Sequence, residues 1–249
     1  MTVQQRTVLL GVTGSVAAYK APDIARELER SGVRVRVLMT EAATKFVAPL
    51  TFEALLKRPV ATEMFDAGEI GPIPHVTLAE DANAMLVAPA SADMIARLAA
   101  GLADDIVSCT ALAFGGPLLL APAMHTQMYM HPATQANLTV LRERGALVIG
   151  PESGELASGG YGPGRMSDTA TIVGLTMKAM GQKGDLAGKR VVVTAGGTQE
   201  PIDPVRCVTN RSSGKMGYAI AEVCRDRGAD VVLVTAPTSL RPPRRRSRC

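Results

Sequence analysis

Three histidines are the first candidates for proton-transfer chemistry in this 249-residue chain. His75 follows Pro-Ile-Pro and precedes a helical pattern at Val76–Ala82. It is either a solvent-facing residue at a helix entry or a general base, because imidazole titrates near neutral pH. His125 comes just after an apolar run, where it could cap a helix or meet a substrate carboxylate. His131 precedes a proline without such a placement, which favours a structural role.

Two turns of small residues could bind a phosphate. Residues 11–17 (GVTGSVA) follow an apolar run and open a helix, whose unpaired N–H groups and dipole favour an anion. This is not a GxGxxG motif, so tight packing of strand on helix is the alternative. Residues 89–93 (PASAD) repeat the arrangement, although Ser91 could simply cap the following helix. With Thr40, these turns form a ring of hydroxyl and amide donors suited to a phosphate.

The segment Gly154–Arg165 contains five glycines in twelve residues. Such a composition indicates either a solvent-exposed loop or a lid that orders over a bound substrate. Arg165, at its end, could pair with a phosphate or a carboxylate.

Composition and charge argue against several functional classes. The formal net charge is +4, but five arginines lie in the last nine residues, and the rest of the chain is nearly neutral. A basic tail is not a charged face on a folded surface, so we expect no nucleic-acid partner. The four cysteines and three histidines lack metal-ligand spacing, which predicts no metal site and free thiols in the cytoplasm. We also expect no signal peptide and no membrane association.

The elements that must position these residues alternate between strand and helix. Buried strands alternating with helices predict a doubly wound parallel sheet of the Rossmann or flavodoxin-like kind, with ligands beyond the carboxyl ends of the strands. Pro89 and Pro122 are expected to end their strands. The predicted strands are Arg6–Val12, Val33–Met39, Asn83–Ala88, Pro117–Ala121 and Ala146–Gly150. The predicted helices are Ala21–Ser31, Glu41–Phe46, Thr51–Lys57, Val76–Ala82, Asp93–Ala100, Ala133–Arg144 and Thr169–Met180.

The pattern restarts after a polar, glycine-containing stretch. Strands at Arg190–Thr194 and Asp230–Thr235 flank a helix at Gly214–Arg227 and predict a second nucleotide-binding βαβ unit. One such unit cannot bury both faces of a sheet, so we expect the second domain to be incomplete, through truncation or a shifted reading frame. The predicted organisation is a first domain at 1–180, a linker at 181–188, the incomplete domain at 189–236 and a basic disordered tail at 237–249.

Taken together, the motifs of the first domain resemble those of the flavin-containing cysteine decarboxylases. This family includes phosphopantothenoylcysteine decarboxylases and enzymes that oxidatively decarboxylate C-terminal cysteines of peptides. The resemblance extends from Thr7 to Thr176, with each motif in order and consistently spaced. The motifs are Gly-Ser-Val-Ala-Ala at 14–18, His75, Pro-Ala-Ser-Ala at 89–92, Pro-Ala-Met at 122–124 and Gly-Pro-Gly-Arg-Met at 162–166.

The resemblance implies an FMN-dependent reaction in a homotrimer or dodecamer. FMN would oxidise the cysteine moiety to a thioaldehyde, which lets carbon dioxide leave and an ene-thiolate form. Reduced FMN would then return a hydride while an acid supplies a proton. By the same resemblance, His75 is the catalytic histidine, and Met124 and Arg165 contact substrate. The positions that match residues lining FMN are Gly14, Ser15, Thr40, Ser91, Ala92 and Ala123.

Two positions depart from the family pattern. The family has Asn where this chain has His125, and both side chains can donate a hydrogen bond to the substrate carboxylate. The family has a proton-donating Cys where this chain has Ser158, and a hydroxyl is a much weaker acid than a thiol. The reaction could therefore stop at the ene-thiol, unless Tyr161 or water acts as the acid. The alternatives are an oxidative peptidyl-cysteine decarboxylase and a non-catalytic flavoprotein.

The second segment resembles the opening of phosphopantothenate–cysteine ligases. The matching stretches are Thr194–Arg206 and Asn210–Gly217, and this domain order is that of the bifunctional bacterial enzymes of coenzyme A synthesis. The resemblance implies a partial CTP site at Asn210, Ser212, Ser213 and Lys215. CTP and Mg²⁺ would act only with a complete ligase domain, so we expect ligase activity to be absent and phosphopantothenoylcysteine decarboxylation to be the reaction.

Overall fold

The computed structural model describes residues 6–65, 71–157, 159–181, 186 and 188–240. Their contacts form two compact units, within residues 1–176 and 177–249, and each unit is described by itself. The strands of the first unit are β1 Thr7–Val12, β2 Arg34–Met39, β3 Ala84–Ala90, β4 Leu118–Pro122, β5 Leu147–Val148, β6 Glu152–Glu155 and β7 Tyr161–Arg165. A 3-10 helix at Val16–Lys20 precedes α1 Ala21–Arg30, α2 Glu41–Thr44, α3 Pro49–Leu56, α4 Pro74–Glu80, α5 Ala92–Ala100, α6 Ile106–Ala113, α7 Thr126–Met130, α8 Pro132–Glu143 and α9 Thr169–Gly181.

A five-stranded sheet in the order β2-β1-β3-β4-β5 forms the centre of the first unit. All of its pairings are parallel. Every residue of β1 and of β3 is buried, which requires helices on both faces of the sheet. On one face, Leu9, Met85 and Leu120 belong to the same core cluster as Ile95 of α5 and Leu138 of α8. The predicted flavodoxin-like parallel sheet is confirmed.

Strand β3 runs through the proline that was expected to end it. Ala90 still pairs with Pro122 of β4, after a register shift that follows Val87. The irregularity accommodates the missing N–H of Pro89, and the Pro89 carbonyl accepts a hydrogen bond from the Thr13 side chain. The prediction that Pro89 ends its strand was therefore wrong, whereas β4 does end at Pro122.

The glycine-rich segment forms a β-hairpin rather than an irregular loop. Strands β6 and β7 pair antiparallel from Glu152↔Arg165 to Glu155↔Tyr161. Helices α6 and α7 were also missing from the predicted elements. Helix α6 begins with a capping box in which Asp105 and Ser108 bond each other's backbone N–H.

The second unit contains one βαβ element and a short hairpin. Its elements are β8 Arg190–Ala195, β9 Gln199–Pro201, β10 Cys207–Thr209, α10 Lys215–Asp226 and β11 Asp230–Thr235. Strand β11 pairs parallel with β8 along its whole length, and β9 pairs antiparallel with β10. The predicted order of strand, helix and strand is therefore present, with the β9–β10 hairpin inserted before the helix.

Some predictions fall on residues outside the described ranges. These are Ser158, most of the linker at 181–188 and the tail beyond residue 240. Within the described ranges, the helices are all too short or too polar to span a membrane. Cys109, Cys207 and Cys224 are free thiols.

Candidate functional site

One buried hydroxyl ties together the carboxyl ends of β1 and β3. Thr13 follows β1 and is 1% exposed. Its Oγ1 donates to the Pro89 carbonyl at 2.7 Å and accepts from the Ser91 N–H at 2.9 Å. Neighbouring parallel strands lie about 4.8 Å apart, so the loops after β2, β1, β3 and β4 form one row along the edge of the sheet. We call this row the carboxyl-edge loops.

Three hydroxyls in the carboxyl-edge loops begin helices. Ser15 Oγ accepts the N–H two residues later at 3.4 Å and donates to the Ala123 carbonyl at 3.2 Å. Thr40 and Ser91 each accept the N–H three residues later, both at 3.2 Å. Neither of these two hydroxyls donates a hydrogen bond to another described residue, so each can donate its proton to a ligand.

The predicted cofactor residues lie in the carboxyl-edge loops, except Ala92, which is the first residue of α5. The loops after β1 and β2 approach each other closely: a Cβ placed on Gly14 would lie only 2.6 Å from the Ala42 Cβ. Hydroxyl protons and helix-starting N–H groups are donors that suit a phosphate. The residues brought together are Gly14, Ser15, Thr40, Ser91, Ala92 and Ala123. This donor set fits the phosphate of a flavin mononucleotide.

The loop after β4 places two predicted substrate residues beside the cofactor row. Met124 is half-buried, and its N–H donates to the Gly164 carbonyl of β7 at 3.0 Å. His125 is exposed and caps α7, because its Nδ1 accepts the Gln127 N–H at 3.2 Å. With Nδ1 accepting, Nε2 is the nitrogen that can meet a substrate carboxylate. Both interpretations offered for His125 are therefore compatible with one geometry.

Arg165, at the end of β7, lies near a second cation. Its Cδ and Nη1 lie 3.1 Å from the place that a Cβ on Gly154 would take, so the side chain crosses the neighbouring strand. Burial lowers the pKa of Lys20, and the charge of Arg165 lowers it further, against the opposing effects of Glu152 and Asp168. An anionic group bound beside Lys20 and Arg165 would relieve the repulsion between their charges.

His75 lies in the first turn of α4, which packs against α6. Its Nδ1 is buried and has no hydrogen-bond partner among the described residues. The residue as a whole is half-buried at this helix entry. No hydrogen bond or ion pair within the described ranges joins His75 to the carboxyl-edge loops.

The predicted CTP residues lie in one loop of the second unit. Asn210 Oδ1 accepts the Ser212 N–H at 2.9 Å and lies 2.8 Å from the place of a Cβ on Gly197. Ser212, Ser213 and Lys215 are exposed where this loop enters α10. The loop therefore lies close to the turn that follows β8 and presents polar groups at a helix start.

The sequence analysis gave no individual role to three residues of the first unit. Thr13 joins two strand ends, Lys20 lies near Arg165, and Thr126 has a buried hydroxyl with no partner among the described residues. Thr13 carried a weak signal, since it is the first hydroxyl after a buried strand. Lys20 and Thr126 carried none, because their neighbours are far away in sequence.

Two family models match the chain. The Flavoprotein model matches residues 1–181, and the model of the DNA/pantothenate metabolism flavoprotein C-terminal domain matches residues 186–249. Among curated proteins, the coenzyme A biosynthesis bifunctional protein CoaBC of Mycobacterium tuberculosis is 48% identical over 238 residues. This match covers 94% of the chain and 56% of the relative, so the chain spans somewhat more than half the length of that relative.

Solved structures match the first unit. A PPC decarboxylase mutant complexed with pantothenoylaminoethenethiol is 31% identical with a TM-score of 0.61, covering 69% of this chain and 96% of that one. The FMN-dependent cysteine decarboxylase SpaF is 31% identical with a TM-score of 0.62, covering 71% of this chain and 98% of that one. These matches confirm the resemblance that the motifs indicated.

Proposed function

Because the chain belongs to the Flavoprotein family, whose model matches residues 1–181, we propose that it binds FMN and decarboxylates phosphopantothenoylcysteine to phosphopantetheine in coenzyme A biosynthesis. One observation carries the proposal: the first unit matches 96% of a PPC decarboxylase at 31% identity. The CoaBC relative, which is named for coenzyme A biosynthesis, matches residues of both units and supports the same pathway.

We propose that the carboxyl-edge loops hold the FMN phosphate. Thr40 and Ser91 would donate their hydroxyl protons, and the N–H groups at the start of α5 would complete the cradle. Thr13 would keep the loops after β1 and β3 at a fixed separation. When bound, FMN supplies the two-electron oxidation of the cysteine moiety and the hydride that is later returned.

The protein residues would orient the substrate and move protons. His125 Nε2 would hold the carboxylate that is lost, since Nδ1 is occupied by the cap of α7. Arg165 and Lys20 would attract the substrate phosphate at the other end. His75 would take or give a proton through its unpartnered ring nitrogen.

An oligomer forms part of this proposal, as a homotrimer or a dodecamer. The oligomer is proposed from the resemblance to the flavin-containing cysteine decarboxylases. Several apolar side chains of the first unit are more than half exposed, which suits burial between subunits. They include Val16, Tyr19, Phe46 and Leu50.

For the second unit we propose a partial CTP site at Asn210, Ser212, Ser213 and Lys215. We further propose a cytoplasmic location, because Cys109, Cys207 and Cys224 are free thiols, as expected in a reducing compartment.

A second candidate is oxidative decarboxylation that releases the ene-thiol. A PPC decarboxylase in which cysteine is replaced by serine is complexed with pantothenoylaminoethenethiol, an ene-thiol. This chain carries Ser158 where the family pattern has cysteine, and a serine hydroxyl is a poor proton donor. The reaction in the same active site would then end at the ene-thiol, before its reduction to the thiol.

Mass analysis separates the two candidates. The purified protein is loaded with FMN and given phosphopantothenoylcysteine without oxygen. A product lighter by one carbon dioxide supports the full reaction, whereas one lighter by carbon dioxide and two further hydrogens supports release of the ene-thiol. Unchanged substrate together with unreduced flavin would leave only a non-catalytic flavoprotein.

A further inference from the structure

The β6–β7 hairpin sits directly on the loop after β4. The Met124 N–H donates to the Gly164 carbonyl at 3.0 Å. Gly164 has φ +139, and a Cβ there would lie 2.2 Å from the Met124 carbonyl oxygen. No side chain can occupy that position without moving backbone, so the contact requires glycine.

A second glycine of the hairpin covers a hydroxyl. A Cβ on Gly162 would lie 2.6 Å from Thr126 Oγ1, so β7 passes immediately over this atom. The hydroxyl is buried and has no hydrogen-bond partner within the described part of the chain. A buried hydroxyl without a partner destabilises the fold, so its presence at this contact requires an explanation.

The substrate of the proposed reaction would connect the same two elements. His125, one residue before Thr126, would hold its carboxylate, and Arg165, one residue after Gly164, would attract its phosphate. A molecule bound at both ends would draw β7 and the β4 loop together. Since the Met124–Gly164 bond is already formed, a small shift of the Gly162 backbone about it would bring β7 within reach of the Thr126 hydroxyl.

We propose that Thr126 is a positioning residue whose hydroxyl forms a hydrogen bond with the backbone of β7 when substrate is bound. This bond fixes the hairpin on the β4 loop and thereby sets the distance between the two anion-binding groups. The inference rests on the proposed function and assigns a role to a residue outside the family motifs quoted above.

The first test replaces the hydroxyl by a methyl group of similar shape. Thr126→Val should raise KM for phosphopantothenoylcysteine by about 3- to 10-fold, the value of one hydrogen bond, with kcat changed by less than twofold. Its melting temperature should stay the same or increase, because an unpartnered hydroxyl is removed. Thr126→Ser keeps the hydroxyl and should restore the wild-type KM. Thr110→Val is the matched control, since the Thr110 hydroxyl is buried but donates to the Ile106 carbonyl within α6.

The outcomes separate a positioning role from a structural one. An unchanged KM in Thr126→Val overturns the proposal, whether or not the melting temperature falls. A raised KM that Thr126→Ser fails to restore also overturns it, because the hydroxyl would not be the cause. Wild-type protein that binds FMN but leaves the substrate intact would refute the proposed function. The hairpin contact would then still be tested by protease digestion, which requires no turnover.

The second test measures the contact by limited trypsin digestion. Gly164→Ala should unseat the hairpin and speed cleavage of the Arg165–Met166 bond at least about fivefold, since an unpaired strand is a protease site. Gly174→Ala is the matched control, because nothing lies within 4 Å of a Cβ at Gly174. Phosphopantothenoylcysteine should protect the bond in the wild type more than in Thr126→Val. Equal cleavage of Gly164→Ala and wild type, or equal protection in Thr126→Val, would contradict the seating of the hairpin.

Discussion

The hydroxyl of Thr13 offers the sharpest test of how the carboxyl-edge loops are assembled. Thr13→Val keeps the shape of the side chain but removes both of its hydrogen bonds. The Pro89 carbonyl and the Ser91 N–H would then lose their partner in a site that is 1% exposed at Thr13. Each buried group left without a partner costs about 1–3 kcal/mol, and Ser91 is only half-buried, so the free energy of unfolding should fall by about 2–4 kcal/mol.

This loss is a large part of the usual stability of a domain, about 5–15 kcal/mol. For a domain of 150–250 residues, 1 kcal/mol shifts the melting temperature by about 2–4 °C, so we expect a decrease of about 5–15 °C. FMN affinity should also fall, since Ser91 loses the contact that fixes its position. The assay is thermal unfolding followed by circular dichroism, with a parallel FMN titration.

Two further variants make the Thr13 result decisive. Thr13→Ser retains the hydroxyl and should recover most of the stability. Thr139→Val removes an exposed hydroxyl and should change stability by less than about 0.5 kcal/mol. A melting temperature of Thr13→Val within about 2 °C of the wild type would refute the role of this hydroxyl, because that change is less than half the smallest decrease expected.

Three other predictions concern the proposed reaction and its charges. His75→Asn should lower decarboxylation by about 10²- to 10⁴-fold while FMN absorbance is retained, and an active variant would remove His75 from proton transfer. Ser158→Cys should increase the share of fully reduced thiol over ene-thiol in mass spectra, whereas an unchanged ratio would show that another group is the acid. Arg165→Met should raise the pKa of Lys20 towards its ordinary value in an NMR titration of the lysine side chains, with Lys45 as the unaffected reference; no change would contradict their proximity. Since the pKa of Lys20 is lowered in the folded chain, stability should increase as the pH rises through that pKa.

The sequence was sufficient to predict the parallel sheet because its strands are short, continuous apolar runs. Strands β1 and β3 are buried on both faces, and such strands need no alternation of polar residues. The row of small and hydroxyl residues at the strand ends followed from the same pattern, because parallel strands share one carboxyl edge. These parts depend only on local sequence.

Other parts depend on contacts between distant segments and could not be read from spacing. Thr13 and Pro89 are 76 residues apart, and nothing local indicates that they share a hydrogen bond. The glycines at 154–165 suggested a loop. Two of them, Gly162 and Gly164, are instead required because β7 lies against the β4 loop and leaves no room for a side chain. Helix α6 has apolar and small residues all around, so its sequence lacks the one-sided period that identifies surface helices.

The most direct test of the account is release of carbon dioxide in a single turnover. Protein loaded with FMN is mixed, without oxygen, with phosphopantothenoylcysteine that carries a label in the cysteine carboxylate. We predict one labelled carbon dioxide per bound flavin in the wild type and a loss of release in His75→Asn. A wild type that binds FMN stoichiometrically, yet retains all label in the substrate, would contradict the central claim.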